Sequence, residues 1–199
     1  MDLEKLLSNL ERNGFHALYF ETAAEAADYI TAHIKGKTVG IGGSLTVEQM
    51  GLFELLSEEN TVYWHWRQDR KYAQKQAANT EVYLASANAI AESGEIVNID
   101  GQCNRISSMM YGHEELFIVA GVNKITPDLA SAVDRARNYA APMNARRLHR
   151  KTPCVMSEPM KCHDCRSPDR LCRNMAITLH KSKAYQEAHV ILIGETLGY

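Results

Sequence analysis

The strongest constraint on the fold of this chain is a recurring series of short apolar runs that do not alternate with polar residues. Thr38 to Ile41, Val82 to Ala85, Leu116 to Ala120 and Val190 to Ile193 are of this kind. A strand with one wet face alternates apolar and polar positions, whereas a strand covered on both faces reads as these runs do. Phe15 to Phe20 and Thr61 to Trp64 add two more strands. Helical spacing fills the intervals. Leu3, Leu6, Leu7 and Leu10 recur before Gly14, and Thr22 caps an Ala-rich stretch to about Ile34 with Ala23, Ala26, Ala27 and Ile30 on one face. Asp69 to Asn79, Asn104 to Tyr111 and Pro127 to Ala140 also read as helices, the last with its proline at an early position. This alternation predicts an α/β fold, a mostly parallel twisted sheet with helices on both faces in a Rossmann-like three-layer architecture. With 199 residues, the chain is expected to form one domain over 1–199. A helical extension at about 1–14 and a cysteine-rich loop at about 152–173 complete it.

Charge and hydropathy narrow the partners. A formal net charge of -2 supplies no general attraction to nucleic acid or anionic membrane, so nucleic acid is a disfavoured partner. No apolar run approaches the roughly 18 to 20 residues of a spanning helix, and no membrane insertion is expected. The acidic, amphipathic start lacks the basic and apolar regions of a signal peptide, so the expected location is cytoplasmic. Under reducing conditions the five cysteines read as metal ligands, reactive groups or buried thiols rather than disulfides.

Polar groups concentrate between Ser86 and Arg105. Ser93-Gly94 predicts a turn, Glu95 to Ile99 a short strand and Asp100-Gly101 a second turn. Glu95 and Asp100 are the candidate catalytic carboxylates. Asn88, Asn98, Asn104 and Arg105 are candidate ligand-binding groups, Arg105 because its fork matches a carboxylate or phosphate. The same residues also suit a hairpin whose Asn and Asp side chains cap turns, with Arg105 paired to Asp100. Gly42, Gly43 and Ser44 lie between a strand and a helix near Thr46, which suits either close approach by an anion or a tight turn with an N-cap. Lys124, after Gly121-Val122-Asn123, reads equally as an amine facing an anionic substrate or as a surface lysine. Trp64 and Trp66 flank His65 and are expected in the core or an oligomer contact before a pocket wall, and Met109 and Met110 are expected in the core.

The blocks Gly42-Gly43-Ser44, Ser86 to Ile90, Gly94 to Gly101, Asn104-Arg105, Gly121 to Ile125 and Asn144 to Leu148 resemble the LUD (lactate utilisation) domain family, collinearly from about Lys37 to Tyr199. The resemblance implies a fold similar to glucosamine-6-phosphate deaminase, ribose-5-phosphate isomerase and the coenzyme A transferases, with ligands at strand ends. It also implies a place in bacterial L-lactate oxidation beside iron–sulfur partner proteins. Gln102-Cys103 and the short stretch from Trp64 to Lys75 depart from the pattern and would reshape the pocket.

Cys154, Cys162, Cys165 and Cys172 have the spacing C-x7-C-x2-C-x6-C. Four thiolates complete a zinc tetrahedron or hold an iron–sulfur cluster, and the spacing admits both. Between Arg146 and Arg173 eight Lys or Arg face three acids, which offsets thiolate charge. The electron-transfer partners that the resemblance implies favour the cluster. The leading reading is therefore a protein that binds a small anionic metabolite as a subunit of an oxidation system. A non-catalytic subunit docking an iron–sulfur or electron-transfer protein is second, and a nucleic-acid-binding metal loop is third. A homo-oligomer is the expected assembly.

Overall fold

The structure, a computed structural model, describes residues 2–199. Helix α1 (Leu3–Arg12) is capped by Asp2, whose carboxylate accepts from the Lys5 N–H, and Gly14 at φ 85° turns the chain into β1 (His16–Phe20). Thr22 opens α2 (Ala23–His33) with a capping box: its hydroxyl accepts from the Glu25 N–H while Glu25 accepts from the Thr22 N–H. Next come β2 (Thr38–Ile41), α3 (Leu45–Gln49), α4 (Leu52–Ser57), β3 (Thr61–Trp64), α5 (Arg70–Ala77) and β4 (Val82–Ala85). A hairpin, β5 (Ala89–Ala91) and β6 (Ile96–Asp100), precedes α6 (Asn104–Ser108) and β7 (Glu115–Gly121). The chain ends through β8 (Ile125–Thr126), α7 (Leu129–Arg135), α8 (Ala141–Arg147), α9 (Pro153–Met156), β9 (Asn174–Thr178) and β10 (Glu187–Ile193).

Six strands form an all-parallel sheet in the order β1-β10-β7-β4-β2-β3. One face packs Val39, Ile41, Leu84, Phe117, Val119 and Ile191 against Ile30, Val47, Leu52 and Leu56 from α2, α3 and α4. The opposite face packs Tyr83, Ala85, Leu116, Ile118 and Val190 against Leu6 and Leu10 of α1 and Ile90 and Ile96 of the hairpin. The α/β architecture expected from the sequence is therefore present. Its second covering layer is partly a four-stranded sheet, β8-β5-β6-β9, with β6 antiparallel to both of its neighbours. Gly40 is required where α5 crosses β2, since a Cβ there would lie 2.4 Å from the Ala77 carbonyl oxygen.

Three local expectations are corrected. Asp128, not Pro127, begins α7: its carboxylate accepts from the Ser131 N–H, and Pro127 lies just before the cap. The helix also does not stop at Ala140. It widens into a π turn over Ala136–Ala140 and continues as α8. Pro142 has no N–H and its ring would collide with the carbonyl four residues earlier, so a wider turn accommodates it. Met109 is in the core, but Met110 is exposed on the surface.

Candidate functional site

The loops that follow β2, β3, β4 and β7 open on a cleft of about 680 Å³ at the carboxyl ends of the strands. Helix α8, the loop before β9 and the segment after β10 close its sides. Its charge is one-sided. Eight Lys or Arg line it against three carboxylates, Glu48, Asp100 and Asp169, on a chain whose net charge is -2.

Arg105 organises the wall formed by the hairpin. Its guanidinium donates to the Ser86 carbonyl at 3.2 Å, the Asn88 Oδ1 at 3.2 Å and the Ile99 carbonyl at 2.8 Å, all uncharged acceptors. Asn88 Oδ1 also accepts from the Ile99 N–H at 2.7 Å, which fixes the entry to β5 against the exit of β6. Burial lowers the Arg105 pKa, and the Asp100 charge opposes that shift. Gly42 does not line the cleft. A Cβ at that position would meet the Tyr83 hydroxyl at 2.9 Å and Arg105 Cγ at 3.0 Å, so glycine lets the Arg105 side chain cross.

Asp100 lines the cleft, but its carboxylate is committed. Oδ1 accepts from the Gln102 and Cys103 N–H groups, and Oδ2 from those of Arg105 and Ile106. It caps α6, while Cys103 between them takes the left-handed conformation at φ 63°. The Arg105–Asp100 link thus runs through the Arg105 backbone. Ser44 is similarly engaged, as the N-cap of α3 accepting from the Val47 N–H, and it lines the cleft beside Gly43. Asn104 also lines it.

Lys124 is the most unusual group. It ends a short 3-10 turn after β7, is only 3% exposed and lines the cleft. Its Nζ lies 2.7 Å from Thr46 Oγ1 and 2.8 Å from Ser86 Oγ. Burial, reinforced by the Arg135 and Arg105 cations, lowers its pKa to about 7. Glycine at 198 leaves space beside it, because a Cβ there would sit 3.3 Å from Nζ.

Opposite, Trp64 is fully buried and stacks on Trp66, which lines the cleft with its ring centroid 5.2 Å away. Arg147 lies over Trp66 at 4.6 Å and donates to the Tyr199 hydroxyl at 2.8 Å. Burial first, then the Arg70 and Arg147 cations, lowers the His65 pKa, which favours a neutral imidazole at the cleft. The sequence marked Thr46 only as a helix start and Tyr199 only as the end of the resembling stretch. Only the block around Asn144 to Leu148 pointed toward Arg147.

Besides Gly42, two candidate residues are not brought to the cleft. Glu95 stands at the hairpin turn beside Ser93, five residues from Asp100 along an extended segment, or about 16 Å at the usual strand rise. Asn98 is buried on β6 away from the cleft, and its Oδ1 has no hydrogen-bond partner among the described residues.

The four cysteines of the loop line one small cavity of about 20 Å³ beside Arg137 and Arg170. All are free and partly exposed. Among the described residues, no three of their sulfurs come within 4.8 Å of one another. Zinc at 2.3 Å from each sulfur would hold them about 3.8 Å apart, so the loop does not preform a zinc tetrahedron. The donor set and flanking guanidiniums suit four-thiolate ligation, but a cavity of about 20 Å³ is the space of a single water, so the loop would have to open to take a cluster as well. The group that does meet the 4.8 Å spacing is His33, Glu187 and His189, at the opposite end of the sheet.

A six-stranded parallel sheet covered on both faces, with a cationic cleft on the loops at its carboxyl edge, defines a three-layer α/β protein. The LUD domain model matches residues 3–193, and the chain belongs to the LUD domain family. Among solved structures it is similar to a DUF162 family protein from Deinococcus radiodurans, at 11% identity with a TM-score of 0.55. That match covers 98% of this chain and 99% of the other, and at such identity it is a likeness of fold. No curated protein matches the sequence.

Proposed function

We propose that this LUD domain protein binds a small organic anion in the strand-end cleft and serves bacterial lactate or related organic-acid metabolism as a subunit of an oxidation system. The observation that carries this reading is the cleft's charge, seven arginines against three carboxylates on a weakly acidic chain. A concave site with convergent cations attracts and orients a carboxylate. Arg147 and Lys124 contact the anion, Asn104 and the Gly43-Ser44 edge orient it, and Arg105 with Asn88 and Asp100 holds the wall in shape. The fold superfamily that the sequence resembles, whose members bind ligands at strand ends, supports the same placement. The cleft is far larger than a three-carbon acid, which leaves room for a second reactant. Calorimetric titration with lactate, pyruvate and inorganic phosphate should give saturable binding that weakens with added salt and in Arg147→Ala. Absence of binding to all three at millimolar concentration refutes the reading.

The cysteine loop supports a second element of this proposal. Arg170, Leu171 and Cys172 line both the cysteine cavity and the anion cleft. An iron–sulfur cluster on Cys154, Cys162, Cys165 and Cys172 would supply one-electron transfer beside the bound acid and a docking point for an electron-transfer partner. Anaerobic purification with metal analysis and an absorption spectrum tests it: iron with visible charge-transfer bands supports the cluster, whereas colourless zinc or no metal overturns it.

A further inference from the structure

We propose that Lys124 is a nucleophile that captures the carbonyl carbon of a 2-oxo acid as an imine. The inference rests on the cleft binding an organic anion, and it names the substrate class and the reacting atom. A lysine that only supports structure ordinarily pairs its buried charge with a carboxylate. Here the charges acting on the amine are the Arg135 and Arg105 cations, and its contacts are two hydroxyls.

Those hydroxyls are arranged to accept. Thr46 Oγ1 donates onward to the Leu197 carbonyl at 3.3 Å, and Ser86 Oγ has the Ala87 carbonyl at 3.5 Å. Their free lone pairs therefore face Nζ. An uncharged amine satisfies both with its two N–H bonds and keeps its own lone pair for a ligand. An ammonium ion would carry a third N–H with no partner among these groups. Desolvation favours the same uncharged form, and an uncharged amine is the form that attacks carbonyl carbon.

The step balances without another reagent. The Nζ lone pair forms a bond to the carbonyl carbon, the carbon–oxygen bond breaks, and the oxygen leaves as water with the two amine hydrogens. The acid's carboxylate is met by the cations of the cleft, Arg147 among them. Near pH 7 about half of Lys124 is uncharged, on the order of a thousandfold more free amine than an ordinary lysine presents.

The full-length protein would be incubated with pyruvate or with lactate, then treated with sodium cyanoborohydride, digested and examined by peptide mass spectrometry. Pyruvate should place a reduced adduct on Lys124 well ahead of every surface lysine, with a trapping rate that rises to half its maximum near pH 7. Lactate has no carbonyl and should place none. Lys124→Arg, with its native fold checked by circular dichroism, should lose the adduct. Pyruvate that binds by calorimetry yet leaves Lys124 unmodified, or labels surface lysines equally, overturns this inference and leaves the anion-binding reading intact. Failure of every acid to bind overturns both.

Discussion

Replacing Lys124 by Met should change how stability depends on pH in a calculable way. About 3.5 pH units separate the ordinary lysine value of 10.5 from about 7, and at ~1.36 kcal/mol per unit the fold disfavours the charged amine by about 5 kcal/mol. The sign follows from proton counting. Between pH 7 and 10.5 the unfolded chain holds a proton on this amine and the folded chain does not, so wild-type stability rises with pH across that window. Allowing for partial titration at both ends, wild type should gain about 3.5 kcal/mol on Lys124→Met from pH 7 to pH 10. At pH 7 the variant should be the more stable protein, by less than the full electrostatic cost because about 1 kcal/mol is lost with each hydrogen bond to Thr46 and Ser86. Those hydroxyls keep other partners, so the variant strands no buried donor. Urea unfolding of both proteins at half-unit steps from pH 6 to 10 measures the difference, in which the titration of Tyr83 and Tyr185 cancels. Parallel stability curves would refute the account of Lys124 as a desolvated, unpaired amine.

Other perturbations test the frame around it. Asp100→Ala removes the acceptor for four backbone N–H groups and should cost about 1 to 2 kcal/mol in urea unfolding, whereas Glu95→Gln should leave calorimetric anion affinity unchanged. Gly121→Ala places a Cβ 2.4 Å from the Glu195 carbonyl oxygen and 2.5 Å from Asn123 Oδ1, and should cost about 1 to 3 kcal/mol as a fall in melting temperature. Burial holds buried His113 below its ordinary value, so the unfolded chain takes up a proton that the fold refuses as pH drops through about 6.5. His113→Phe should therefore lose less stability than wild type between neutral pH and pH 5, as read by denaturant midpoints.

The parallel sheet was legible because Val82 to Ala85 and Leu116 to Ala120 are buried on both faces, and such burial writes itself as an unbroken apolar run. The second sheet was not. Strand β5 is three residues, Ala-Ile-Ala, too short and too poor in β-branched residues to stand out. Strand β9 exposes Met175 and Ile177 while burying Ala176, and its pairing with β6 links segments more than seventy residues apart. At the cleft, the density of polar groups marked a loop that lines it, but the sequence could not divide their labour. Asp100 turns inward to cap α6 because a helix begins four residues later, and Glu95 falls at the wrong end of the strand. Lys124 carries no local sign of burial. Its environment is made by Thr46 and Ser86, which reach it only after β2, β4 and β7 have paired.

The stack of Trp64 on Trp66, with Arg147 over its open face, has a practical consequence. The chain contains two tryptophans and both belong to this stack, so all of its indole emission originates at the cleft wall. An acid that draws Arg147 away from Trp66 should alter the intensity or colour of that emission, giving an unlabelled optical titration of the native protein. Denaturation monitored at the same wavelength would first report the local state of the β3 loop, and following the whole fold requires a second probe such as circular dichroism.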